Sequence, residues 1–246
     1  FIKDGVPIKY YKNNENIGSD MNILNAYTMP ESKYVHVIGD DDFITEDYFI
    51  KVAGELKNNN PDILFINSYS YDEHHAELSP ISLFCKNKKY DKLRFLNQLN
   101  LKITFISAMI LKRSNYTKLE LEKALSSQLI QVDAFFLSLK KGQIFKYMGD
   151  FLVGCKRNNS GGYDPVKIFV ENFFHVHERF YFLHMDVKTI KNYKDKCLLE
   201  FYSHHFKKIF DIGLSEYQLS EMDKHYEKSF MYNFFIRPHI LKNNFF

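Results

Sequence analysis

The run Tyr34-Val35-His36-Val37-Ile38-Gly39-Asp40-Asp41-Asp42 constrains this chain more than any other stretch. A short apolar segment of β type ends in a glycine and three consecutive carboxylates. Like charges this close repel, and an unpaired carboxylate is costly to take out of water. Three of them at a strand end are accounted for when a cation sits there. Oxygen-only ligands on a tight turn suit Mg²⁺ or Mn²⁺, which take one or two carboxylates and complete their shell with substrate phosphates. The other reading of the segment is a solvated acidic turn before a helix.

From residue 1 to about 160, short apolar runs alternate with amphipathic stretches, an α/β signature. Ile8 to Tyr11, Tyr34 to Ile38, Asp62 to Asn67, Ile103 to Leu111 and Ile144 to Gly154 read as strands. Between them, Asn16-Ile17-Gly18-Ser19 reads as a turn, with Ser19 or Asp20 capping a helix through about Tyr27. Thr45 is placed to cap a helix that runs to about Lys57 and ends at Asn58-Asn59-Asn60-Pro61. Ser68 to Lys89 reads as a polar loop. Helices are expected over Asp91 to Leu99 and between Asn115 and Lys141. From Asp164 the pattern changes to helices rich in Phe, Tyr, His and Lys, with Pro165 in a first turn, Gly213 as a break and Ser215 with Gln218 as a capping box. The 24 phenylalanines and 17 tyrosines form either a bulky core or an adhesive surface, and the core reading is favoured.

A net charge of +3 spread over 246 residues argues against a nucleic-acid binder. No run approaches the roughly 18 apolar residues of a membrane span. Cys85, Cys155 and Cys197 are widely spaced and odd in number, which points to a reduced, cytoplasmic compartment. There is no P-loop, no G-x-S-x-G elbow and no cysteine with a histidine at a nucleophile spacing.

Asn16-Ile17-Gly18, then Asn22 and Ala26, then an apolar strand ending in Asp40-Asp41-Asp42, resembles the family 2 glycosyltransferases of the GT-A fold. With Phe43 after it, the acidic turn most resembles the abequosyltransferase-like bacterial enzymes of O-antigen and capsule assembly. Asp62 to Asn67, Phe105-Ile106-Ser107 running to Lys112-Arg113, and Arg157-Asn158-Asn159-Ser160 match later family features in order. The resemblance covers roughly residues 8 to 162. It implies a Rossmann-like mixed sheet flanked by helices over residues 1–162, incomplete at its N-terminus, and a helical C-terminal extension over 163–246.

The resemblance also implies roles. The activity is metal-dependent, inverting sugar transfer from a nucleotide-sugar donor to a saccharide or lipid-linked saccharide acceptor, with Mn²⁺ or Mg²⁺ as cofactor. A divalent cation neutralises the charge of the departing diphosphate. Asp42 is expected to contact the metal and Asp40 the ribose or the metal shell, with Asp41 bonding within the turn or sharing the ion. Asn16 and Gly18 shape the nucleotide side, or form an ordinary turn. The family's E-D-x-D-like base segment corresponds to Leu129 to Phe135, where only Asp133 survives as general base, against a buried structural carboxylate. Asp72, Glu73, His74 and His75 are weaker competitors. Arg157 is placed to close a loop over the diphosphate, or to lie in a linker.

The family's first nucleotide-binding strands have no counterpart before Ile8, so a fragment lacking about its first 40 to 50 residues is expected. A catalytically inactive binding or scaffold module is the alternative, and a phosphotransferase using the same carboxylates is a third. The tail, with Phe206, Lys207, Lys208 and the Phe230 to Ile240 segment, either packs on the core or lies on an anionic membrane surface.

Overall fold

A computed structural model describes residues 8–71, 79–80, 88–156, 162–180 and 185–244. The described strands form one mixed sheet in the order β1 (Tyr34–His36), β6 (Met109–Lys112), β3 (Ile63–Tyr71), β7 (Phe145–Lys156) and β2 (Phe43–Ile44). Two short strands, β4 (Ser79–Pro80) and β5 (Lys88–Tyr90), pair with β3 and β7. Only β3 and β7 run parallel. Their register shifts between Ile66 and Ser68, and the other pairings are antiparallel.

The central strands are apolar on both faces, because both faces are covered. Successive strand side chains point to opposite sides. Ile63 and Phe65 of β3, Met109 and Leu111 of β6, and Phe145 and Tyr147 of β7 enter one core with Leu24 and Tyr27 of α1 (Gly18–Thr28). Leu64, Ile66 and Ile110 enter a second core with Tyr48 and Val52 of α2 (Tyr48–Asn59). In the first core lies α5 (Ile130–Lys141), buried from Ile130 to Leu139. The same core takes Phe95 and Leu96 of α3 (Lys92–Leu99) and Leu121 of α4 (Lys118–Glu122).

The aromatic tail belongs to this first core as well. Phe173 and Phe174 of α6 (Phe173–Phe180), Tyr193, Cys197 and Phe201 of α7 (Val187–Ile212), and Met222 and Tyr226 of α8 (Glu216–Tyr226) are all buried in it. His177 is sealed there, bonded to the Phe173 carbonyl and the Tyr193 hydroxyl at 2.7 Å each, so it serves packing. Gly213 takes φ +75°, and the Ser215–Gln218 capping box is formed at the start of α8. A last helix, α9 (Arg237–Asn244), follows a π-helical turn at Tyr232–Ile236.

Several expectations are corrected. Ile8 to Tyr11 is exposed and forms no strand, because among the described residues β1 pairs only with β6 and no strand offers that segment a ladder. Neither Ser19 nor Asp20 caps α1. Ile17 stands at its N-cap, and the Asp20 carboxylate instead accepts from the Ser126 and Gln128 amides of a distant loop. Asp47, not Thr45, precedes α2, and Thr45 donates to the Asp47 side chain. The residues from Asn100 to Ala108 form 3-10 turns rather than a strand, which starts at Met109. Conversely, β3 continues to Tyr71 inside the segment expected to be a loop, because β7 lies alongside it the whole way.

Gly154 of β7 lies opposite Phe43 of β2. A Cβ there would come within 2.4 Å of the Phe43 ring, which packs edge-on against Tyr69 and Tyr71. Gly154→Ala is therefore expected to cost about 1–3 kcal/mol, the range of an overpacked site. Urea denaturation checks it, and an unchanged midpoint would refute the tight contact.

Candidate functional site

The acidic turn sits between β1 and β2, at one end of the sheet, and its shape is set by five hydrogen bonds. The Asp42 amide donates to the Gly39 carbonyl at 3.3 Å, closing the turn. Ser107, fully buried in the 3-10 turn before β6, accepts from the Gly39 amide at 2.8 Å and donates to Asp42 Oδ2 at 2.5 Å. The Lys156 amide reaches Asp42 Oδ1 at 3.4 Å, and the Tyr71 hydroxyl donates to the Asp41 carbonyl. One serine thus fixes both ends of the acidic run.

Ser107 is itself held. Its carbonyl can only accept, so the His36 nitrogen 2.7 Å away, Nε2, carries the proton. Nδ1 is then the acceptor for the Tyr48 hydroxyl. Burial holds the His36 pKa below its ordinary value, against the Ser107 carbonyl, which favours the charged ring. A neutral, doubly bonded imidazole is the consequence, and it joins β1, α2 and the Ser107 turn.

Burial pushes the Asp42 pKa up. The Ser107 and Lys156 bonds oppose that shift, and the charges of Asp41 and Asp40 add to it. Asp41 is half-buried and Asp40 exposed. Gly39 explains itself here by close approach: a Cβ on it would lie 2.9 Å from Asp42 Oδ2 and 3.2 Å from Asp41 Oδ1. Both carboxylate oxygens therefore border the same small space. Among the described residues no set of three or more His, Cys, Asp or Glu side chains gathers to hold a metal. Two carboxylates on a turn nonetheless fit a hard cation that keeps water and phosphate oxygens in its shell. Ser107→Ala strands the Gly39 amide and frees Asp42, and is expected to cost about 1–3 kcal/mol. Chemical denaturation at neutral pH measures it, and a loss below a few tenths would remove Ser107 from its anchoring role.

Asp133 lies elsewhere in the first core. It is 1% exposed in the first turn of α5, and its Oδ1 accepts from the Arg179 guanidinium of α6 at 2.9 Å. Oδ2 is buried without a hydrogen bond; the Ser127 hydroxyl lies near enough to favour the charge but outside bonding geometry. Burial raises the Asp133 pKa from 3.8 to about 7, outweighing Arg179, and Asp20 adds to the rise. Gln131, two residues earlier, donates to the Thr104 carbonyl, so the start of α5 is tied to the Asn100–Thr104 turn that precedes Ser107.

The remaining expected residues divide simply. Asn16 Oδ1 accepts from the Gly18 amide at 2.9 Å, and Gly18 takes φ +79°, so these two build the exposed turn that starts α1. Asp72, Glu73, His74, His75 and Arg157, with Cys85 and Asn158 to Gly161, lie outside the described residues. Sequence reasoning assigned no role to His36, Tyr48, Tyr71 or Arg179, and treated Ser107 only as the start of a strand. The one available signal was His36, a polar side chain at an inward strand position just before the aspartates.

No protein-family model and no curated protein matches the sequence. Solved structures do resemble the fold. Residues 1–349 of TarS from S. aureus in complex with UDP superpose with a TM-score of 0.60 at 12% identity, covering 87% of this chain and 62% of that one. The same TarS segment in complex with UDP-GlcNAc gives 0.56 at 12%, covering 81% and 58%. TarS 1–349 without a named ligand gives 0.51 at 16%, covering 85% and 58%. The chain thus spans about six-tenths of the length of these structures. At such identities the likeness is one of architecture: this chain has a glycosyltransferase-like α/β fold, a mixed sheet flanked by helices.

Proposed function

We propose that this chain is the catalytic part of a glycosyltransferase that moves a sugar from a nucleotide donor to a saccharide or lipid-linked saccharide acceptor of a surface glycan. The observation that carries the reading is the acidic turn. A fold shared with TarS, whose structures hold UDP and UDP-GlcNAc, carries between two of its strands three consecutive carboxylates, with Asp42 and Asp41 bordering one small space above Gly39.

In this reading Asp42 and Asp41 hold Mn²⁺ or Mg²⁺ across the space above Gly39, and Asp40, the exposed member, faces the nucleotide side. Such an ion, when bound, supplies the positive charge that a diphosphate leaving group needs. The chain's own part is to keep the two carboxylates aimed. Ser107 fixes Asp42, Tyr71 fixes the Asp41 backbone, and the His36–Tyr48 pair fixes Ser107. Transfer with inversion also needs a group that takes the acceptor proton, and Asp133, with its pKa near 7, has the right affinity for it.

A screen of labelled nucleotide sugars against the full-length protein, read as nucleoside diphosphate release with and without Mn²⁺, tests the proposal. Metal-dependent release from one donor supports it. No release with any donor, together with no donor binding, overturns it. One observation favours the second reading, a binding module without turnover: Asp133 is sealed from solvent and already paired with Arg179. Tight donor binding without product would select that reading.

A further inference from the structure

Three phenylalanines stand out on the surface of the tail. Phe230, Phe234 and Phe235 are 61%, 67% and 65% exposed, whereas Tyr226 and Tyr232 beside them are buried. They form one patch, with the Phe230 and Phe234 ring centroids 4.6 Å apart and those of Phe230 and Phe235 5.9 Å apart. The cause is the π-helical turn at Tyr232–Ile236. One extra residue in the turn brings positions five apart onto the same face, so Phe235 joins Phe230 instead of rotating away. Tyr232, Ile236 and Ile240 fill the opposite face and are buried against the core. The patch is therefore held out rigidly by a packed helix.

We propose that this face docks on an anionic lipid bilayer, with the three rings in the interfacial zone. Charge is the first argument. From Lys228 to Phe246 the sequence contains Lys228, Arg237, His239 and Lys242 and no acidic residue. Arg237 is committed to Asp223 at 2.6 and 2.9 Å. Lys242 is exposed seven residues beyond Phe235, on the same side of the helix. Lys228 is exposed two residues before Phe230 and forms a long, solvent-exposed ion pair with Glu227 at 4.0 Å, which water and salt screen. A patch of aromatics bracketed by lysines is the chemistry of an interfacial anchor on acidic headgroups.

Area is the second argument. Three rings of about 200 Å² each, roughly two-thirds exposed, offer on the order of 400 Å². A stable dimer needs about 800 Å² from each partner. The patch is too small for a second copy of the chain and sufficient for shallow, reversible insertion. No described helix is long and apolar enough to cross a membrane, so the contact is with the surface. The inference is independent of sugar transfer and stands or falls on its own test.

Co-sedimentation of the full-length protein with phosphatidylcholine vesicles, with and without 30 mol% phosphatidylglycerol, measures it at low salt. Binding is expected on the anionic vesicles and at least tenfold weaker on the neutral ones. The triple variant Phe230→Ser, Phe234→Ser, Phe235→Ser is expected to lose binding at least tenfold with an unchanged circular dichroism spectrum, since these rings are exposed. Lys228→Ala with Lys242→Ala is expected to lose most of the preference for anionic lipid. Wild-type protein that fails to bind anionic vesicles overturns the proposal. So does a triple variant that binds as well as wild type, or a dimer in solution that the triple variant abolishes.

Discussion

Asp42→Asn in the full-length protein is expected to lower metal-dependent sugar transfer by about a hundredfold to a thousandfold and to leave the fold standing. The magnitude is that of removing one electrostatic contact made where charge develops. The fold survives because asparagine keeps the shape and still accepts the Ser107 hydroxyl, now 2.5 Å from Oδ2. Its stability should hold or rise slightly, since the change removes a half-buried charge beside Asp41 and Asp40. Two measurements separate the causes. Product release gives the transfer rate, and Mn²⁺ titration by electron paramagnetic resonance gives the metal affinity. A variant with wild-type, metal-dependent turnover would detach the acidic turn from the chemistry and leave an α/β domain of unassigned purpose.

The turn itself was legible because it is local. Strand, glycine and aspartates are consecutive, and their mutual repulsion can be read from spacing alone. The buried strand at Ile63, the capping box at Ser215 and Gln218 and the helix end at Asn60, which takes φ +44°, were legible for the same reason. What holds the turn was not. Ser107 meets Asp42 across 65 residues of sequence, and Tyr71 meets Asp41 across 30. No period or cap connects such positions; sheet pairing does, by bringing β6 beside β1 and β3. The 3-10 turns from Asn100 to Ala108 deceived for a related reason. Ile103 and Ala108 are fully buried there, and burial reads as strand when the chain offers several apolar residues in a row. Asp20 shows the opposite failure. It had the right type and place to cap its own helix, but a loop more than a hundred residues away offered it two amides.

Asp133→Asn is expected to raise stability at pH 8 and, if the carboxylate takes the acceptor proton, to abolish transfer in the same molecule. The pKa of this group in the folded chain is about 7, against 3.8 for an ordinary aspartate. Between those values the folded chain holds a proton that the unfolded chain has released. Stability must then fall as pH rises from about 4 to about 7, and stay low above that. Three units correspond to an upper bound of about 4 kcal/mol, and relaxation around the site brings the expected difference to about 2–4 kcal/mol. Asparagine carries no such penalty. The Arg179 it leaves behind is two-fifths exposed and can return to water, so breaking this pair from the carboxylate side costs little. Arg179→Ala is the opposite case: it strands the buried charge and is expected to destabilise at pH 8 and hardly at all at pH 4. Thermal unfolding of the three proteins from pH 4 to pH 9 reads these differences directly, and parallel curves for wild type and Asp133→Asn would refute the raised pKa. Activity then decides the role. A stabilised variant that no longer transfers sugar makes Asp133 the base, kept at a cost in stability as functional groups often are. A stabilised variant with full activity makes it a structural carboxylate, and the acceptor proton must leave by another route.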